Sequence, residues 1–170
     1  MSKNFEIAEN PKILLDQNFD FKQIQIEGLK LNENYKSIQL INIVDIYVED
    51  CDYLYDNFTK RLEHFEKHNG VIHMAGKIAF KIKNQKIDLI ILRGKYIDKL
   101  KSYSSKEITN TFGKPDKILT NSISWLIDYV EYAKIYAYAD RKIYFFFDEE
   151  TKKIDEIQIG NFNEAFYDSN

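Results

Sequence analysis

The chain has 170 residues, 44% apolar and 30% charged, with 2 Pro and 6 Gly, a composition that excludes large-scale disorder and suits one sizeable domain or two small ones. A net charge of −3 argues against a dedicated nucleic-acid binder, which would carry a basic face. The single cysteine, Cys51, excludes an internal disulfide framework, and no window is long and apolar enough to span a bilayer, so the expectation is a cytoplasmic protein with no membrane partner and no cofactor.

Residues 1–20 read as a polar lead-in with one apolar knot, Ile13-Leu14-Leu15. Phe21 to Ile26 alternates and predicts a strand, followed by a turn at Glu27-Gly28 and a helix start around Asn34 to Ile38. Val44 to Val48 predicts another strand. From Cys51 the period changes: Cys51, Leu54, Tyr55, Phe58, Leu62 and Phe65 share one helical face, which predicts a helix over 51–68 stopped by Asn69-Gly70. Val71 to Met74, Ile78 to Ile82 and Ile87 to Leu92 then predict a meander. Tyr96, Ile97 and Leu100 form a short helical piece. Ser104 and Glu107 have capping-box spacing ahead of a helix bearing Ile108 and Phe112 and ending at Gly113, and Pro115 forbids its continuation. Ile123–Val130, Lys134–Tyr138, Ile143–Phe147 and Ile154–Ile159 predict up to four strands, and Phe162–Tyr167 a final helical turn.

Two of these stretches share a pattern. Lys77, Ile78, Phe80, Lys86, Ile87, Asp88 and Ile90 recur as Lys142, Ile143, Phe145, Lys153, Ile154, Asp155 and Ile157, with a turn two residues longer in the second. Each reads as a β-hairpin. The fold expected is therefore α+β: two repeated helix-plus-antiparallel-meander units, 21–94 and 95–160, with one longer helix (about 51–68) inserted in the first and a tail at 161–170.

The stretch Ser105-Lys-Glu-Ile-Thr-Asn-Thr-Phe-Gly-Lys-Pro-Asp116, followed by an aromatic meander, resembles the helix–Gly-x-Pro–strands unit of BamE-like (SmpA/OmlA-type) domains. The resemblance covers the second half; Leu40 to Asp45 has no Gly-x-Pro. Soluble tandem versions of that unit include immunity proteins of bacterial toxin systems, so the resemblance implies a protein-binding role.

For chemistry, His64 and His68 stand four apart on the proposed helix and His73 begins the next strand, a spacing that could share a metal in a small hydrolase. The motif His-Phe-Glu-Lys-His lacks a Glu beside the first His, and His64 falls well off the apolar face with His68 near its margin, which favours solvated or boundary residues. Cys51 sits on the apolar stripe as a small core residue, and Asp88 and Asp155, at matching positions, suit a shared turn role. No Gly-x-Ser-x-Gly and no Gly-rich phosphate loop is present. The remaining feature is an acidic run, Asp45, Glu49, Asp50, Asp52 and Asp56, with Tyr47, Tyr53 and Tyr55 interleaved and no Lys or Arg. Helix-dipole stabilisation accounts for acids in a first turn; the alternative is a surface that docks a basic protein. The function expected is a non-enzymatic, immunity-type inhibitor that binds a basic toxin domain through Asp45, Tyr47, Glu49, Asp50, Asp52, Tyr53 and Asp56. A scaffold pairing through sheet edges, or a metal-dependent hydrolase, are the alternatives.

Overall fold

Runs of Ile, Phe and Tyr at alternate positions, broken by short polar turns, build strands, most of which pair with their neighbours in sequence. The computed structural model describes residues 4–50, 57–120 and 133–169. A small parallel pair, β1 (Phe5–Glu6) and β2 (Ile24–Gln25), ties the lead-in to the stretch after it. The main sheet comprises β3 (Ile43–Val48), β4 (Gly70–Met74), β5 (Ile78–Lys83), β6 (Lys86–Leu92), β7 (Lys117–Thr120), β8 (Ala133–Tyr138), β9 (Ile143–Asp148), β10 (Ile154–Gly160) and β11 (Asp168–Ser169). Its order is β11-β7-β8-β9-β10-β6-β5-β4-β3, antiparallel throughout.

One face of this sheet holds the main core, including Ile46, Ile72, Phe80, Ile90, Phe145 and Ile157, packed with Ile7 and Leu14 of the lead-in and with Ile26 and Ile108. The other face carries two smaller clusters, Leu119, Ile135, Ala137, Tyr144 and Phe146, and Ala79, Leu89 and Ile91, both touched by Phe162. Phe162 stacks on Tyr144 at 4.3 Å and on Tyr167 at 4.9 Å, so the 161–167 segment seals that face.

The expected architecture of two repeated helix-plus-meander units with a long inserted helix is overturned. The hairpins β5–β6 and β9–β10 do not head separate units: β6 and β10 pair directly, Leu92 opposite Ile157 and Ile90 opposite Ile159, fusing both halves into one sheet. Where the first half is expected to open on a helix, the described residues form 3₁₀ turns at Phe21–Gln23, Tyr35–Ser37 and Leu40–Asn42. The inserted helix is α1 (Phe58–Glu63), continued by a 3₁₀ turn at His64–Glu66. It starts where it does because Asn57 is extended (φ −100°, ψ 117°) and its side chain accepts the Thr59 N–H at 2.8 Å, an N-cap that outcompetes the helix interior for Asn. Cys51 to Asp56, the upstream part of the expected helix, lie outside the described residues, as does the expected strand Ile123–Val130.

Local expectations fare better. The helix α2 (Ser105–Phe112) carries its box, with Glu107 Oε2 accepting from Ser104 N at 2.6 Å, and ends at Gly113 with φ +81°. The two hairpins share a geometry as well as a pattern. Lys81 opposes Leu89 while Ile82 opposes Ile87, which leaves Asp88 as the extra residue; in β10 Ile154 opposes Phe147 while Glu156 opposes Phe146, which leaves Asp155. Each bulge resets the alternation, so Ile87 with Ile90, and Ile154 with Ile157, reach the same core from positions three apart.

Candidate functional site

The strand β3 ends the sheet order, so among the described strands it has a neighbour on one side only, β4. Its sequence, with the turn before it, reads Leu40-Ile-Asn-Ile-Val-Asp-Ile-Tyr-Val-Glu-Asp50. A 3₁₀ turn at Leu40–Asn42 leads in, and a bulge between Ile43 and Asp45 turns Val44 outward. Ile43 and Ile46 enter the main core, while Asp45 and Tyr47 point to the opposite face beside His73 and Val71, their register partners on β4. Five apolar residues in seven cannot all be covered by an edge strand. Leu40 is 46% exposed, Ile41 87%, Val44 57% and Tyr47 55%. Of five large apolar residues exposed among the described ones, four fall in this stretch.

Acids accompany them. Asp45 and Asp50 are exposed and Glu49 is half-buried. The helix-dipole account does not reach these three, because they precede a helix whose first turn holds no acid. Asp52, Tyr53 and Asp56, also expected in the patch, lie outside the described residues.

The open side of β3 has a specific covering. The Glu49 N–H donates to Asn69 O at 2.8 Å, so the odd-numbered peptide groups turn toward β4 and those of Ile46 and Val48 turn outward. Asp45 Oδ1 accepts the outward Ile46 N–H at 2.9 Å. Arg61 Nη1, from α1, donates to Ile46 O at 3.4 Å and to Asp45 Oδ1 at 3.2 Å. Arg61 is held over the Phe58 ring, 5.7 Å from its centroid. Sequence reasoning missed Leu40, Ile41, Val44 and Arg61; the apolar run through 40–46, too dense for an edge strand, was the signal for the first three.

The histidines are not gathered into a centre. The His64 and His68 rings lie 6.1 Å apart along a shallow depression shared with Lys60, Glu63, Glu66 and Lys67, while His73 is on β4. Among the described residues no group of three His, Cys, Asp or Glu could hold a metal ion. Nearby, Glu66 pairs with Lys36 Nζ at 2.5 Å and accepts the Tyr35 hydroxyl at 3.1 Å, bonds that hold its carboxyl below the usual range, while burial together with Glu66 pushes Tyr35 up to about 12.

A second polar cluster lies in the middle of the sheet. Glu156, 2% exposed, takes the Arg93 Nε–H across the β6–β10 seam and the Gln158 Nε2–H at 2.8 Å. Burial raises its carboxyl above the ordinary value, opposed by Arg93. Every acceptor and donor there is matched within the fold, as among all the described buried side chains. No helix among the described residues is long and apolar enough to cross a membrane. Comparison with protein-family models, curated proteins and solved structures finds no match.

Proposed function

We propose that the protein is a non-enzymatic protein-binding module that docks a basic partner on the β3 edge. The observation that carries this reading is the concentration of exposed Leu40, Ile41, Val44 and Tyr47 beside Asp45 and Asp50. Apolar side chains left uncovered close together in one stretch, with charged groups beside them, are what an association surface presents. The sign points to the partner: from Ser37 to Thr59 the chain has five acids and no Lys or Arg. Such a strip attracts a cationic surface and steers its approach. A basic toxin domain held by an immunity-type inhibitor is the form of this function that the Ser105–Asp116 resemblance supports; for a nuclease toxin the carboxylates would stand where substrate phosphates bind.

The test is retention of a basic protein from the source cell by immobilised wild-type chain, compared with Tyr47→Ala and with Asp45→Lys/Glu49→Lys. The expected result is one basic protein retained by wild type, lost in both variants, with an association rate that falls as salt rises. Retention untouched by either variant would place binding elsewhere. The inhibitor form is checked by growth: the chain should protect cells expressing the captured protein.

A further inference from the structure

We propose that the partner adds to β3 as an extra strand, and that the Asp45–Arg61 pair is a latch that holds this edge shut until it does. The proposal rests on the docking reading above and specifies how contact is made. An added strand would offer the outward Ile46 peptide two groups, a carbonyl for its N–H and an N–H for its carbonyl. The free protein supplies surrogates for both. Asp45 Oδ1 stands in for the carbonyl, at 2.9 Å from Ile46 N, and Arg61 Nη1 stands in for the N–H, at 3.4 Å from Ile46 O. The surrogates are joined to each other at 3.2 Å, so one guanidinium and one carboxylate satisfy the edge together.

Placement makes this covering removable. Asp45 is 65% exposed, and an ion pair so solvated contributes little to hold it in place. Charged residues on an edge strand also discourage indiscriminate pairing. The occupant is an extended segment bearing Lys or Arg at alternate positions. A second copy of this chain is disfavoured, because antiparallel pairing of β3 with itself about Tyr47 sets Asp45 against Glu49 on both sides. With a basic strand the same geometry sets opposite charges together, and Asp45 is released from Arg61 to meet the incoming cation.

The experiment uses the full chain and an eight-residue peptide of alternating Lys and Val, alongside the same peptide N-methylated at every second amide. Binding is followed by titration and by amide hydrogen exchange. The expected result is binding of the unmodified peptide alone, with slowed exchange at Ile46 and Val48. Arg61→Met, which keeps an apolar stem on α1, should tighten binding about two- to fivefold, the equivalent of the exposed pair no longer broken. Salt should shrink that gain less than it would the loss of a distant repelling cation, because the pair is in contact at 3.2 Å. Should Arg61→Met misfold, Asp45→Ala provides the same reading, as faster Ile46 exchange in the free protein. Equal binding of both peptides would overturn strand addition and leave side-chain docking standing; binding of neither would overturn the docking reading itself. Unchanged affinity in Arg61→Met, with unchanged Ile46 exchange in Asp45→Ala, would overturn the latch.

Discussion

Among the described residues, two arginine–carboxylate pairs join elements of this fold, and they sit in opposite surroundings. Arg93 and Glu156 bridge the two central strands, with side-chain exposures of 19% and 2%. Arg61 and Asp45 bridge α1 to the last strand, with 16% and 65%. The chemistry is the same and the consequence is not. At the seam the carboxylate has left water, so it depends on its arginine. At the edge the carboxylate keeps its hydration, so the pair contributes little and can exchange partners. Burial, and not the identity of the pair, separates a structural bond from a replaceable one.

The sharpest way to break this comparison is Arg93→Ala. It leaves Glu156 buried without its cation and should cost about 3–5 kcal/mol, lowering the Tm by about 10 °C in a chain of this size. Thermal melts check it, and Arg93→Met combined with Glu156→Leu should recover most of the loss, since a packed apolar pair avoids desolvation. A loss below about 1 kcal/mol would make the seam pair no different from the edge pair. Next comes Gly160→Ala, at the end of the same strand. Gly160 has φ +125°, and an added Cβ would lie 2.5 Å from the Asp88 carbonyl at the β6 bulge. Backbone strain alone costs about 1–3 kcal/mol, and the seam must open further to relieve the clash. Denaturant midpoints should show it.

The same contrast explains what could be read from residues alone. The hairpins, α2 with its box and its Gly113 stop, and the core alternation are set by neighbours a few positions apart, where propensity and period act. The pairing of β6 with β10 is set across 63 residues, from Arg93 to Glu156, and nothing local marks it. Glu156 and Gln158 sit in a strand whose alternation is displaced by the Asp155 bulge, so their burial was hidden too. Periodicity alone did not mark the start of α1, because the apolar spacing continues on both sides of Asn57, whose side chain takes the cap. At the candidate site Asp45, Tyr47, Glu49 and Asp50 were legible as a run of acids and aromatics. That they lie on an open edge, with Arg61 closing it, depends on topology.

A smaller effect sets the seam carboxyl apart by pH. Burial raises the Glu156 carboxyl above its ordinary 4.5, so the folded chain holds that proton more tightly than the unfolded one. Stability from this group is full below about 4.5 and is lost as pH rises through the raised folded value, by at most about 1.4 kcal/mol per unit. Glu107 and Asp148 act oppositely: backbone donors, Ser104 N–H for one and Thr151 N–H for the other, lower them, and their contribution disappears as pH falls through their folded values. Glu156→Gln removes only the first trend. The stability of wild type relative to this variant should therefore decline as pH rises, measured as a difference of denaturant midpoints. A flat difference would mean the seam carboxyl titrates like an exposed one.

The smallest effect is the most discriminating. In a double-mutant cycle of Asp45→Asn and Arg61→Met, the coupling energy should be under about 1 kcal/mol. The Asp45→Asn side chain keeps an oxygen for the Ile46 N–H, so the cycle isolates the charge pair from the edge bond. The equivalent cycle at Arg93 and Glu156 should exceed about 2 kcal/mol, because there removal of the arginine strands a buried carboxylate. If the two couplings came out equal and large, the β3 edge would be sealed as firmly as the seam. A partner strand could then gain nothing from displacing Arg61, and the exposed Tyr47 and Val44 would have to bind through their side chains alone.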